Sequence, residues 1–162
     1  MICWKWGCLL FLFFLGILFY PINVLEVRDD RNERVLFLRR VFPGEGFEFQ
    51  YIHSVDKTPV IGFFLITPAQ TLKPIETQFE SYGPGLPSTE RGVTVEGRKI
   101  KVKTDTIEME RFSFFVSPMT KQSIVLKGER FDFSSSKEGE VITLKVRFCP
   151  LLREVLLRHG NR

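Results

Sequence analysis

The sequence predicts a mainly β protein: an antiparallel β-sandwich, or partly closed barrel, of about nine short strands, with a transmembrane helix before it and a short helix after it. Three observations carry this. Short runs rich in Phe, Val and Ile recur along the chain with turn residues between them, and no long helical period interrupts them. Most of the 17 phenylalanines fall at strand-like spacing. Ahead of the strands, the chain carries no charge from Trp6 to Leu25.

Residues 1–25 read as a membrane anchor. Cys8-Leu-Leu-Phe-Leu-Phe-Phe-Leu-Gly-Ile-Leu-Phe-Tyr20 is dense in large apolar side chains, and about 20 helical residues cover the ~30 Å of a bilayer core. Pro21 ends or kinks such a helix, so the span uses Ile2–Tyr20, with Lys5 snorkelling outwards and Trp4, Trp6 and Tyr20 at the interfaces. A cleaved signal peptide needs small residues after its apolar run, and Phe19-Tyr-Pro-Ile-Asn-Val-Leu25 supplies none. Local charge, with Arg28, Arg31, Arg34, Arg39 and Arg40 after the run, favours a cytoplasmic domain.

Residues 26–34 read as a charged connector and 35–149 as one β domain with one core. Val35–Phe42 is the first strand, followed by the turn Pro43-Gly44-Glu45-Gly46. Phe47–Val55 alternates, with Phe47, Phe49, Tyr51, His53 and Val55 on one face. Asp56-Lys57-Thr58-Pro59 is a turn. Val60–Ile66 is continuously apolar, as in a strand covered on both faces. Thr71–Glu80 is a weaker strand, and Tyr82–Ser88 is stiff and turn-like. Gly92–Lys103 forms a hairpin turning at Glu96-Gly97. Phe112–Val116, Ser123–Leu126 and Arg130–Phe133 are short strands, the last two joined at Gly128-Glu129. Val141–Phe148 alternates with Ile142, Leu144, Val146 and Phe148 inward. Over 150–162, Pro150 suits a first helical turn, and Leu151, Leu152, Val155 and Leu156 share one face.

A net charge of +4, with basic and acidic residues interspersed, gives no nucleic-acid face. Of the three cysteines only Cys149 lies in the domain, so no intradomain disulfide is expected, and no Cys/His cluster has metal spacing. No cofactor or metal is expected. His53 is the one histidine inside the domain. Its bland role is that of a core or edge histidine satisfied by backbone. Its functional role is a pocket or contact group beside Ser54, Asp56 and Lys57. A hydrolase is poorly supported: neighbouring strand residues such as His53 and Ser54 point to opposite faces, and no nucleophile elbow exists. Gly83-Pro84-Gly85-Leu86-Pro87 reads either as a stiff corner or as a rim of exposed backbone N–H groups.

Two segments are distinctive together: Tyr51-Ile-His-Ser-Val-Asp-Lys-Thr-Pro-Val60, and then Phe79-Glu-Ser-Tyr-Gly-Pro-Gly-Leu-Pro87. In order and spacing they resemble the bacterial and archaeal domain-of-unknown-function family eighteen-fifty, over most of Val35–Phe148. Its members look like small exported or membrane-anchored β domains, often encoded beside TRAP transporters of the TAXI type. The chain departs from the family pattern at Ile61 and Gly62, where an acidic residue is usual, and at Pro84, where alanine is usual. The resemblance supplies no activity and no catalytic residues, and it tips the topology towards an extracytoplasmic domain.

The expectation is thus a non-enzymatic accessory protein, held single-pass in the cytoplasmic membrane by its N-terminal helix. Its domain lies on the extracytoplasmic side, against a TRAP membrane subunit or a TAXI binding protein. The expected ligand or partner surface is His53, Ser54, Asp56, Lys57, Tyr82, Gly83, Gly85 and Pro87. The alternative is a stand-alone extracytoplasmic small-molecule binding module, with a hydrolase behind both.

Overall fold

The computed structural model describes residues 2–81, 92–104 and 108–160. Helix α1 (Ile2–Leu18) leads into β1 (Pro21–Asp29), β2 (Arg34–Arg40), β3 (Gly46–Ile52), β4 (Pro59–Ile66) and β5 (Leu72–Phe79). Then come β6 (Val93–Glu96), β7 (Lys99–Lys103), β8 (Arg111–Phe115), β9 (Ser123–Leu126), β10 (Glu129–Asp132), β11 (Val141–Pro150) and α2 (Leu151–Gly160). Among the described residues the eleven strands form two antiparallel sheets, a smaller one in the order β2-β1-β11-β8 and a larger one in the order β10-β9-β3-β4-β5-β7-β6.

The transmembrane helix is corrected. No helix among the described residues is long and apolar enough to cross a membrane. The 17 residues of α1 extend about 26 Å at ~1.5 Å per residue, short of the bilayer core. The apolar run does not stay helical. Pro21 opens β1, and Ile22, Val24, Leu25 and Val27 are buried in the sheet. The single-pass topology in the cytoplasmic membrane with its domain held on the extracytoplasmic side by that anchor, the membrane as partner through it and the membrane-held transporter accessory are not supported without this helix.

Strand β1 is apolar on both faces because both are covered. Leu25 and Val27 join Phe37, Ile142, Leu144 and Val146 in the core between the sheets. Ile22 and Val24 join Leu38 and Cys149 on the outer face, where Leu151 and Leu157 of α2 pack. A bulge opposite Val27/Arg28 places Val35 and Leu38 on that same outer side. Glu26 is also there, buried, with Arg147 Nε 2.7 Å and Lys145 Nζ 3.6 Å from its carboxylate.

Other sequence expectations shift in detail. Strand β3 ends at Ile52, so His53 and Val55 leave the strand and Val55 is exposed. Ile61, Phe63 and Leu65 of β4 are only half-buried, since nothing described covers the outer face of the larger sheet there. Phe148 points outward and is exposed. On α2 the side chains turned inward are Leu151, Glu154 and Leu157, while Val155 and Leu156 are exposed. The β9–β10 turn is Lys127-Gly128, closed by the Leu126–Glu129 pair.

The feature that matters for function is β8. Phe112 lies tilted against Phe64 of β4 and edge-on to Phe49 of β3, and Phe114 lies near Phe49 and near Phe133, just past β10. Moving along β8, the contacts thus step across the strands of the larger sheet. Just before β8, Met109 exchanges backbone hydrogen bonds of 2.8 and 2.9 Å with Leu72 of β5, tying the two sheets at one corner.

Candidate functional site

On one side of β8 no described residue of the smaller sheet covers the inner face of the larger one, and a cavity of about 410 Å³ lies there. Its floor is two ladder rows. Phe49, Gly62 and Thr77 are directly paired across β3, β4 and β5, and Tyr51 pairs with Val60 in the next row. Phe64 continues the floor, Phe112, Ser113 and Phe114 form the β8 wall, and Thr120 and Gln122 close the third side. The alternation of β3 dictates this: Phe47, Phe49 and Tyr51 face inward, and the first two are buried where the sheets overlap.

Gly62 makes the depression. It sits mid-floor between Val60 and Phe64, and a Cβ there would stand 3.2 Å from the Phe64 ring edge. Every neighbour in its row carries a side chain, so the space above Gly62 is what the cavity occupies. The five aromatic rings of the lining pack against one another, with Phe49 at the centre, 5.7 Å from Tyr51, 5.0 Å from Phe112 and 4.7 Å from Phe114.

Among the described residues the polar groups of the lining are all uncharged. Ser113 and Thr143 hydroxyls are 2.6 Å apart, and Thr143 donates onward to Asp30, so the Ser113 proton is committed to Thr143. Gln122 accepts from the Ser117 N–H and donates to the Phe115 carbonyl. Thr120 donates to the Ser117 carbonyl, and its own carbonyl accepts from the Ile52 N–H at 2.6 Å. Tyr51 and Thr77 have hydroxyls with no hydrogen-bond partner among the described residues. Burial pushes the Tyr51 phenol above its ordinary value of 10.0.

A second, smaller cavity of about 330 Å³ shares Gln122 and holds Lys121, Arg130, Asp132, Ser134 and Ser136. Arg130 is already matched to Asp132 at 3.0 Å and to the Gln50 side chain.

The residues singled out in the sequence are placed differently. His53, Ser54, Asp56 and Lys57 build the β3–β4 turn, one pair beyond Tyr51–Val60. His53 donates its N–H to the Thr58 carbonyl and accepts at its carbonyl from Lys57. Its Nδ1 is 3.2 Å from the Asp56 N–H and 3.5 Å from the Asp56 carboxylate. The shorter contact needs Nδ1 as an acceptor, and we assign it so. Lys57 adopts a left-handed φ of 56°. Tyr82, Gly83, Gly85 and Pro87 lie outside the described residues. Sequence reasoning missed Gly62, Thr77, Phe112, Phe114 and Gln122 as site residues; Gly62, one glycine in an otherwise unbroken apolar strand, was the available signal. Among the described residues no three His, Cys, Asp or Glu side chains gather to hold a metal ion.

A family model, the domain of unknown function DUF1850, matches residues 47–133, just over half of the chain. The chain belongs to this family. The match is narrower than the resemblance over Val35–Phe148. It leaves out β1, β2 and β11 but takes in every residue that lines the aromatic cavity. No curated protein and no solved structure matches the chain.

Proposed function

We propose that this protein is a stand-alone binding module that holds a largely apolar small molecule in the aromatic cavity between β8 and the larger sheet. The observation that carries the reading is the floor row Phe49–Gly62–Thr77. A glycine there leaves open a space walled by aromatic rings, of the size that small-molecule sites have. The role is binding without chemistry. Among the described residues the lining has hydroxyls but no carboxylate, imidazole or amine to serve them as a base, and the burial-raised Tyr51 phenol stays protonated. His53 and Asp56 act in this reading by fixing the turn next to Tyr51 and Val60.

The test compares the full chain with Gly62→Leu by thermal shift against a panel of neutral two-ring aromatic compounds. The wild-type melting temperature rises with binders, by the mass-action stabilisation of a folded-state ligand. Gly62→Leu fills the cavity and removes that rise while still unfolding cooperatively. A cooperative Gly62→Leu protein that responds to the same compounds as wild type would overturn the proposal.

A further inference from the structure

Resting on that reading, we infer that the ligand is uncharged and carries a hydrogen-bond acceptor, such as a ketone carbonyl, that is read by the hydroxyls of Tyr51 and Thr77. The first ground is charge. Among the described residues no Lys, Arg, His, Asp or Glu lines the aromatic cavity. A carboxylate or ammonium entering it would give up water with no counter-charge to meet it, which is costly in an apolar site.

The second ground is the direction of the available hydrogen bonds. Ser113 has given its proton to Thr143, Thr120 has given its proton to Ser117, and Gln122 has used its carbonyl and an N–H on its own loop. Besides the second N–H of Gln122, at the third side of the cavity, Tyr51 and Thr77 remain as donors, and theirs are the ones on the floor. They sit in adjacent floor rows, on the strands flanking β4, so both border the space above Gly62. The Tyr51 phenol, raised by burial, is a donor throughout the physiological range. A ligand with an acceptor satisfies both hydroxyls, whereas a pure hydrocarbon buries them unmet.

Three near-isosteric probes separate the possibilities in titration calorimetry on the full chain: 2-acetylnaphthalene, 2-isopropenylnaphthalene and 2-naphthoate. The ketone binds about tenfold or more tighter than the naphthoate. It also binds more tightly than the hydrocarbon. Tyr51→Phe and Thr77→Val each weaken the ketone by about three- to tenfold, a neutral hydrogen bond's worth, and leave the hydrocarbon within about twofold. Each variant deletes one hydroxyl at constant shape, and thermal unfolding verifies that it folds. Ketone and hydrocarbon binding equally, with neither hydroxyl mattering, would overturn the inference and leave the binding module standing. Tightest binding by the naphthoate would overturn it too, moving the polar end to Lys121 and Arg130 in the neighbouring cavity. No binding by any of the three would overturn both readings.

Discussion

Replacing Arg147 with Met strips the guanidinium from a buried carboxylate and keeps most of the apolar stem. Glu26 is 1 % exposed, and its nearest cation is the Arg147 Nε at 2.7 Å, with Lys145 Nζ at 3.6 Å. The close contact is coulombic, because neither Glu26 Oε2 nor Arg147 Nε gains an aligned hydrogen bond from it. Removing one partner of a buried ion pair costs about 3–5 kcal/mol. Two features reduce that here. Lys145 stays, and the Arg147 side chain is one-third exposed, so water screens part of the attraction. We therefore expect a loss of about 2 kcal/mol, or ~6 °C in melting temperature for a chain of this size. Glu26→Gln should cost under about 1 kcal/mol, because it leaves two cations that reach water. In the Glu26→Gln background, Arg147→Met should then cost little. Urea unfolding of the four proteins of this cycle, at neutral pH, measures the coupling. An Arg147→Met protein within about 0.5 kcal/mol of wild type, or equal costs in both backgrounds, would refute the argument that Glu26 depends on its cations.

Three further outcomes are expected. Gly128 adopts a φ of 77° after Lys127 at 53°, so Gly128→Ala should lose about 1 kcal/mol in the same unfolding assay, with the β9–β10 hairpin intact. Burial pushes the Asp29 carboxyl up, but hydrogen bonds from the Asn32 side chain and the Arg31 and Asn32 N–H groups, with Arg34 nearby, outweigh it and hold the group below 3.8. Its folded value is depressed, so its contribution is present above the unfolded value and is lost as pH falls through the folded one. The stability gap between wild type and Asp29→Asn should be widest near neutral pH and close as pH falls through the lowered folded value, as unfolding at stepped pH will show. His53→Ala removes the acceptor of the Asp56 N–H and should cost about 1 kcal/mol while leaving 2-acetylnaphthalene affinity within about twofold. A tenfold loss of affinity would place His53 in contact with the ligand.

Alternation made much of the sandwich readable. Phe47 and Phe49, and Ile142, Leu144 and Val146, are buried as their period of two implies. The failures share one cause, which is that side-chain periodicity reports facing and not coverage. Strand β1 is apolar on both faces, one meeting the larger sheet and the other α2, so it reads as a continuation of the apolar helix before it. A window of summed hydropathy joins the two, and the change from a period of 3.6 to one of two at Pro21 is hidden because nearly every residue is apolar. Strand β4 shows the converse: its unbroken apolar run suggests two covered faces, yet Ile61, Phe63 and Leu65 are half-buried.

The cavity follows the same logic. The inward set Phe49, Tyr51, Val60, Gly62 and Phe64 can be written down from the pattern, but whether it becomes closed core or open floor depends on where β8 crosses it. That crossing is set by Met109 pairing with Leu72 and by Phe112 and Phe114 seating on Phe64 and Phe49. These contacts lie 37 or more residues apart in the chain, and no local pattern announces them. Gly62 is informative only once β8 is in place. On a closed part of the sheet it would be a packing defect for a neighbouring side chain to fill, and at the uncovered margin it opens a space. That is why Gly62→Leu tests function rather than stability. The added Cβ meets the Phe64 ring edge at 3.2 Å and the Phe49 carbonyl oxygen at 3.8 Å, and the rest of the side chain is directed at the cavity. Cooperative unfolding with lost binding is the outcome that a cavity shaped for a ligand requires.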